Sequence, residues 1–262
     1  MRSTLSAVFN ETYKRMLIIW TYKFNVLMQL VTVGLIFLGL SFLVQGGQFN
    51  VQQSASILLG YIVWFYARIV IMSTSGDLIG EAQAGTLEQM YMSPAPTSLL
   101  LLGRMFALLL STTIMVILPT LVIVLLLGIH IPLRWEGIPV LLVTLAGLFG
   151  FTLILSGAAL VFKQIEELAD LVQNTLLFLT GSLLPVSHFP TWLEVITRTL
   201  PITQGIIVLR EVVLSGQSLL SAWNDQSLIW LLFHSAVYIC AGWIIFRLCE
   251  RFAKRQGSLG QY

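Results

Sequence analysis

The chain has 262 residues, of which 57% are hydrophobic and only 10% charged, and its formal net charge is +2. A soluble domain carries about 25% charged residues, so this composition cannot supply the polar surface that a water-soluble protein of this length needs. The net charge is small and no basic cluster lies outside the flanks of apolar runs, which argues against nucleic acid as a partner. We therefore expect an integral membrane protein.

The N-terminal arm, residues 1–23, is predicted to be an amphipathic helix. Its apolar residues recur at helical spacing, whereas Lys14 and Arg15 fall mainly on the other side. The apolar set is Leu5, Val8, Phe9, Tyr13, Met16 and Trp20. Such a helix lies in the membrane interface with its basic side toward the headgroups. From the residues alone, the arm is either a simple anchor or a surface for a partner protein.

Six apolar runs have roughly the ~20-residue length that crosses a bilayer. They cover residues 26–44, 54–75, 105–129, 138–162, 171–186 and 226–246. The backbone must satisfy its own hydrogen bonds in lipid, so each run is predicted to be a helix. The fifth run is the shortest and contains polar residues at Gln173, Asn174 and Thr175. The predicted fold class is an all-α integral membrane protein with six transmembrane helices.

The orientation follows from the 14 Lys and Arg residues. With both termini in the cytosol, 11 of them lie on the inside and three, Arg134, Arg198 and Arg210, on the outside. Basic residues favour cytoplasmic segments. We therefore predict a multi-pass protein of the plasma or inner membrane with both termini cytosolic.

A polar insert, residues 76–97, separates the second and third apolar runs. Asp77, Glu81 and Glu88 have spacings that place them on one side of a helix, and Leu87 and Tyr91 share another side. An acidic stripe beside an apolar stripe is typical of a docking surface. The residues alone also fit an ordinary solvated loop, because Gly80 and Gly85 weaken a helix.

The segment 187–225 mixes apolar and polar residues too evenly to cross lipid. Pro185, Pro190 and Pro201 are expected to end helices, which predicts a shortened fifth span and two short half-helices. Their apolar faces, Leu193/Ile196/Leu200 and Ile206/Leu209/Val213, are expected to be covered by the outer ends of the spans. The alternative is a plain outer loop.

Catalytic and metal-binding patterns are missing from the sequence. No Lys follows a Gly, as a phosphate-binding P-loop requires, and the three His residues form no helical pair. Arg68 lies well inside a predicted span, where it either lines a translocation path or snorkels to the headgroups. The predicted spans contain no Asp or Glu, which argues against an ion-coupled secondary transporter.

Two stretches carry a resemblance to a known family. Gly85-Thr86-Leu87-Glu88 is followed by Ser93-Pro94, and Gly181 to Pro185 is followed by Phe189-Pro190, Leu200-Pro201 and Leu209-Arg210. Over roughly residues 5–250, the chain resembles the type-2 permeases of ATP-binding-cassette exporters. The resemblance implies one permease domain over residues 1–262, in which 76–97 is a cytosolic coupling segment and 187–225 an outer re-entrant segment.

The resemblance also implies the partners and the site residues. The permease pairs with itself or a homologous permease, and two copies of a separate ATPase bind ATP and Mg²⁺, so this chain needs no cofactor and is not itself an enzyme. The expected coupling residues are Asp77, Glu81, Gly85, Thr86, Leu87, Glu88 and Tyr91, and the arm also contacts the ATPase. The expected outer-gate residues are Pro185, Pro190, Leu200, Pro201 and Leu209.

The expected function is ATP-driven export of an amphipathic or lipid-like substrate or drug out of the cell, and membrane lipid is a further expected partner. The apolar walls favour such a cargo over a small ion. The alternatives are an ion-coupled secondary transporter and a membrane scaffold without transport. A membrane-embedded enzyme would need a clustered nucleophile or metal set, which the sequence lacks.

Overall fold

The structure of the chain is a computed structural model, and it describes residues 2–83, 97–132, 134–162 and 166–255. These residues form helices joined by short turns, and no β-strand occurs among them. The helices are α1 (Arg2–Thr21), α2 (Lys23–Val44), α3 (Val51–Gln83), α4 (Thr97–Leu127), α5 (Gly137–Phe162), α6 (Glu166–Leu179), α7 (Thr191–Arg198), α8 (Pro201–Leu209), α9 (Leu219–Asn224) and α10 (Ser227–Arg255). The predicted all-α class is therefore confirmed.

Within the described residues, five helices are long and apolar enough to cross a membrane. The candidate spans are Lys23–Val44, Val51–Thr74, Gly103–Leu127, Gly137–Phe162 and Ser227–Ala253. The shortest has 22 residues, which corresponds to about 33 Å at a rise of ~1.5 Å per residue. That length exceeds the ~30 Å hydrocarbon core of a bilayer.

The fifth predicted run differs from the expected span. The run was placed at 171–186, but α6 covers Glu166–Leu179 and has 14 residues, or about 21 Å, which is too short to cross the core alone. Gly181 has a φ of +77°, a left-handed conformation that glycine adopts readily and that a helix cannot contain. The apolar residues Leu183 and Leu184 led to the prediction that the helix continues through them, whereas the turn at Gly181 ends it earlier.

The helix α3 is the centre of the fold. Its candidate span is 67% buried, compared with 17% for α2 and for α10. Tyr61 and Trp64 are almost fully buried on α3 and find main-chain partners on neighbouring helices. The Tyr61 hydroxyl donates to the carbonyl of Val33 at 3.0 Å, and the Trp64 indole donates to that of Gln173 at 2.7 Å. These bonds join α3 to α2 and α6.

The helices α5 and α10 approach each other most closely. A Cβ added to Gly150 would lie 2.3 Å from the carbonyl carbon of Tyr238, and one added to Gly242 would lie 2.1 Å from the Gly150 oxygen. Side chains larger than hydrogen would therefore push the two backbones apart. Gly147 contacts Ser235 on the same interface, so glycine sets the spacing of this pair.

Candidate coupling and outer sites

The helix α3 continues from the membrane into the predicted coupling segment. Its 33 residues extend about 50 Å, roughly 20 Å more than the ~30 Å hydrocarbon core. Asp77 and Glu81 lie on this extension. The first eight residues of the predicted insert, 76–83, are the end of α3 despite Gly76 and Gly80.

Asp77 binds the N-terminal arm. The Arg15 guanidinium on α1 donates to the Asp77 carboxylate. The Arg15 side chain is 16% exposed and that of Asp77 48% exposed, so the pair lies at the edge of the protein. Both residues line a small cleft with Arg104 of α4 and Phe246 of α10. This end of α3 therefore adjoins the arm and the C-terminal half of α10.

The other predicted coupling residues are only partly visible. Glu81 lies on α3, but its side chain is outside the described residues. Gly85, Thr86, Leu87, Glu88 and Tyr91 also lie outside them. Of the predicted acidic stripe, the described side chain is that of Asp77, and it faces α1.

The predicted outer segment, residues 187–225, and the turn before it have prolines at their helix boundaries. Pro185 precedes a short 3-10 turn, Val186–His188, and Pro190 precedes α7. Pro201 occupies the first turn of α8, where its missing N–H costs no hydrogen bond. The predicted division of this segment into short helices is present in the structure. A five-residue π-helical turn, Arg210–Leu214, continues from α8.

The two short helices are covered to different extents. In α8, Ile206 and Leu209 are 1% and 5% exposed, and the helix packs on α5 and α10. In α7, Ile196 is 56% exposed and Trp192 66% exposed. The expectation that both apolar faces are covered by the spans is therefore wrong for Ile196. An apolar face with a Trp at its edge suits a membrane interface.

The predicted gate residues lie in one segment but in different surroundings. Pro201 and Leu209 are buried in α8, and Leu200 is half-buried before it. Pro185 and Pro190 border the 3-10 turn. Leu209 forms part of the wall of a groove between α3, α4 and α5.

Arg210 holds three parts of the fold together, a role that neither the Leu209-Arg210 motif nor the count of basic residues predicted. Its Nε donates to the carbonyl of Ser56 on α3 and its Nη2 to that of Ser182, both at 3.1 Å. Burial lowers the pKa of Arg210 to about 10, which leaves the side chain charged at neutral pH. Gly60 makes room for the contact, since a Cβ there would lie 2.8 Å from Nη2.

Arg68 packs inside the protein against an aromatic ring. Its guanidinium carbon lies 5.7 Å from the centre of the Trp64 ring, within the range of a cation–π interaction. The side chain is half-buried. The contact gives the charge a partner at membrane depth, and it leaves both sequence interpretations of Arg68 as predictions.

The fold is that of a multi-pass α-helical membrane protein whose central helix is longer than a span requires and whose short proline-bounded helices lie at the other end. A family model described as ABC-2 family transporter protein matches residues 43–244. The chain therefore belongs to the ABC-2 transporter family, as a permease subunit, and the resemblance noted in the sequence is confirmed. No curated protein matches the chain.

Members of this family are membrane subunits that work with an ABC ATPase. The match covers α3 to α9 completely and all but the end of α10. The arm α1 precedes the matched region. The match thus includes the segment 187–225, three of the five candidate spans and most of the last one, whereas all but two residues of the span in α2 precede it.

Proposed function

We propose that this chain is the permease subunit of an ATP-driven exporter that moves an amphipathic or lipid-like substrate. Two permease subunits form the pathway, and two separate ATPase subunits bind ATP and Mg²⁺ in the cytosol. Both termini and the 76–97 segment are cytosolic, and the 187–225 segment is on the outer side. The 11-to-3 distribution of basic residues supports this orientation.

One observation supports the coupling role above the others. The helix α3 is at once the most buried span and the element that extends into the predicted coupling segment. A helix moves as one body when its hydrogen bonds are intact, so a displacement at the Asp77 end is transmitted toward Ser56. At Ser56 the same helix is held by Arg210 of the outer segment. A single helix therefore joins the proposed coupling surface to the proposed outer gate.

The ion pair between Arg15 and Asp77 extends this connection to the arm. The arm packs mainly against α4, so a movement of α3 also acts on α4 through α1. This geometry gives the arm a mechanical role in addition to anchoring. These contacts are within the chain, so an anchor and a surface for a partner protein both remain predictions for the arm.

The test is a charge reversal at the proposed docking surface. Glu88→Lys is expected to leave the permease inserted in the membrane but to reduce the amount of ABC ATPase that copurifies with it. The reason is that a reversed charge at an interface places like charges opposite each other. The measurement is the ratio of ATPase to permease after affinity purification from cells that express both.

Asp225→Lys is the matched control, because it makes the same charge change on an exposed residue next to α9. It is expected to retain the ATPase. Equal retention by Glu88→Lys, Asp225→Lys and the unmodified chain would show that Glu88 is not part of the docking surface.

A further inference from the structure

A groove between α3, α4 and α5 opens on the outside of these membrane-spanning helices. Its volume is about 610 Å³. Ile117 and Leu121 of α4 and Ile138 of α5 border it and are 56%, 52% and 48% exposed. Leu209 and Val213 of the outer segment are among its buried lining residues. Water has no favourable partners on such walls, so in a membrane the groove is occupied by apolar chains.

The threonine hydroxyls along the groove are already satisfied. The hydroxyls of Thr113 and Thr120 donate to the carbonyls of Leu109 and Val116, at 2.8 and 2.7 Å. Tyr66 is almost fully buried in the groove wall. The surface available to a ligand inside the groove is therefore apolar, and it fits a hydrocarbon chain better than a polar cargo.

The length of the groove matches one leaflet of a bilayer. Its lining on α4 runs from Thr113 to Val124, a distance of about 16 Å along the helix axis. The hydrocarbon core is ~30 Å thick, so the groove reaches from one membrane surface to about the middle. That surface is the one opposite the termini, because Arg134 at the groove contacts Gly216 of the outer segment.

Arg134 provides a charge at the mouth of the groove. Its Nη1 donates to the carbonyl of Gly216 at 3.0 Å and lies 3.6 Å from the Glu136 carboxylate. The side chain remains 39% exposed, so part of the guanidinium is available to a further anion. Trp135, which is 85% exposed, marks the depth of the membrane interface. A headgroup at this depth would lie next to Arg134.

We propose that this groove binds an anionic phospholipid of the surrounding membrane, with an acyl chain along α4 and its phosphate beside Arg134. The proposal goes beyond transport and requires only that the chain spans a membrane, as its family establishes. The occupant is a resident lipid of the leaflet opposite the termini. Arg134 selects the headgroup charge, and the apolar walls hold the chain.

The test uses the permease with its copurified ATPase in lipid nanodiscs that contain phosphatidylglycerol with a photoreactive group in its acyl chain. Illumination without ATP is expected to label the groove-lining parts of α3 and α4. Unlabelled phosphatidylglycerol is expected to compete about two- to fivefold better than phosphatidylcholine, since one basic residue near anionic lipid contributes about 1 kcal/mol or less.

Two pairs of variants test the headgroup contact and the acyl-chain site separately. Arg134→Gln is expected to remove the preference for phosphatidylglycerol, whereas Arg198→Gln, at another carboxylate-paired Arg of the same face, keeps it. Leu121→Trp is expected to fill the groove and reduce labelling severalfold. Leu125→Trp is the control, because Leu125 is 72% exposed on the same helix but is not among the groove's lining residues.

Equal competition by the two lipids, or an unchanged preference in Arg134→Gln, would overturn the proposed headgroup contact. Equal labelling of Leu121→Trp and Leu125→Trp would overturn the proposed chain site. Loss of the label only when ATP is turned over would identify the occupant as exported cargo and refute a resident lipid. If Leu121→Trp is not recovered folded, Ile117→Phe tests the same wall.

Discussion

Gly60→Ala is expected to disturb the outer segment through a single added methyl group. The added Cβ would lie 2.3 Å from the Ser182 carbonyl oxygen and 2.8 Å from Nη2 of Arg210. An ordinary contact begins at 3.4 Å, so the Ser182 backbone must retreat by about 1 Å. That movement stretches the Arg210–Ser182 hydrogen bond, which is 3.1 Å long.

The magnitude follows from two effects. Overpacking a well-packed site costs about 1–3 kcal/mol, and a lost hydrogen bond to a charged group costs about 1.5–3 kcal/mol. The two effects overlap, because they involve the same atoms, and we expect the free energy of unfolding to fall by about 2–4 kcal/mol in total. Alanine also favours a helix over glycine by up to about 1 kcal/mol, and the control removes this contribution.

Gly34→Ala is the control, since Gly34 lies inside α2 with no atom within 4 Å of an added Cβ. The assay is thermal denaturation of both variants in detergent. The loss of the monodisperse gel-filtration peak reports unfolding. At about 2–4 °C per kcal/mol, Gly60→Ala should lose its fold roughly 4–16 °C below Gly34→Ala. Melting of the two variants within about 2 °C of each other would refute the close approach of α3 to Ser182.

Two further predictions address the proposed coupling and the orientation. Arg15→Asp and Asp77→Arg should each weaken ATP hydrolysis by the assembled transporter, because each places like charges together, and the double exchange should restore part of it. A double variant no better than the singles would show that the ion pair does not carry the effect. In a chain without Cys240 and Cys249, a membrane-impermeant thiol reagent on intact cells should label Asn224→Cys and spare Thr86→Cys, and the reverse pattern would invert the proposed topology.

The long helices were predictable because hydropathy is summed over many residues. The run 138–162 corresponds to α5, Gly137–Phe162, with a difference of one residue. The breaks at Pro190 and Pro201 were also predictable, because proline restricts the backbone locally. In both cases the cause lies within the segment itself.

The features that sequence reasoning missed depend on distant residues or on one dihedral angle. The helix α3 continues through Gly76 and Gly80, although both weaken a helix. Asp77 on this extension is bound by Arg15, 62 positions away in the chain. The short α6 depends on the positive φ of Gly181, which hydropathy does not register.

A count of basic residues predicts the orientation of the chain but not what each residue binds. The three basic residues opposite the termini, Arg134, Arg198 and Arg210, illustrate this. Arg198 pairs with Glu194 four residues earlier, a spacing that the sequence displays. Arg134 reaches Gly216, 82 positions away, and Arg210 reaches Ser56, 154 positions away. Carbonyl groups accept these bonds, and every residue has one, so no residue type marks the partner.

The contacts also explain how these charges are retained on a face where basic residues are scarce. Each of the three guanidinium groups is bound to a carbonyl or a carboxylate of the folded chain, so each contributes to the outer segment or to its attachment. Arg210 attaches that segment to α3, whereas Arg134 joins the α4–α5 loop to it and leaves part of its charge exposed. Removing Arg210 should therefore loosen the outer segment itself, and removing Arg134 should change what binds beside it.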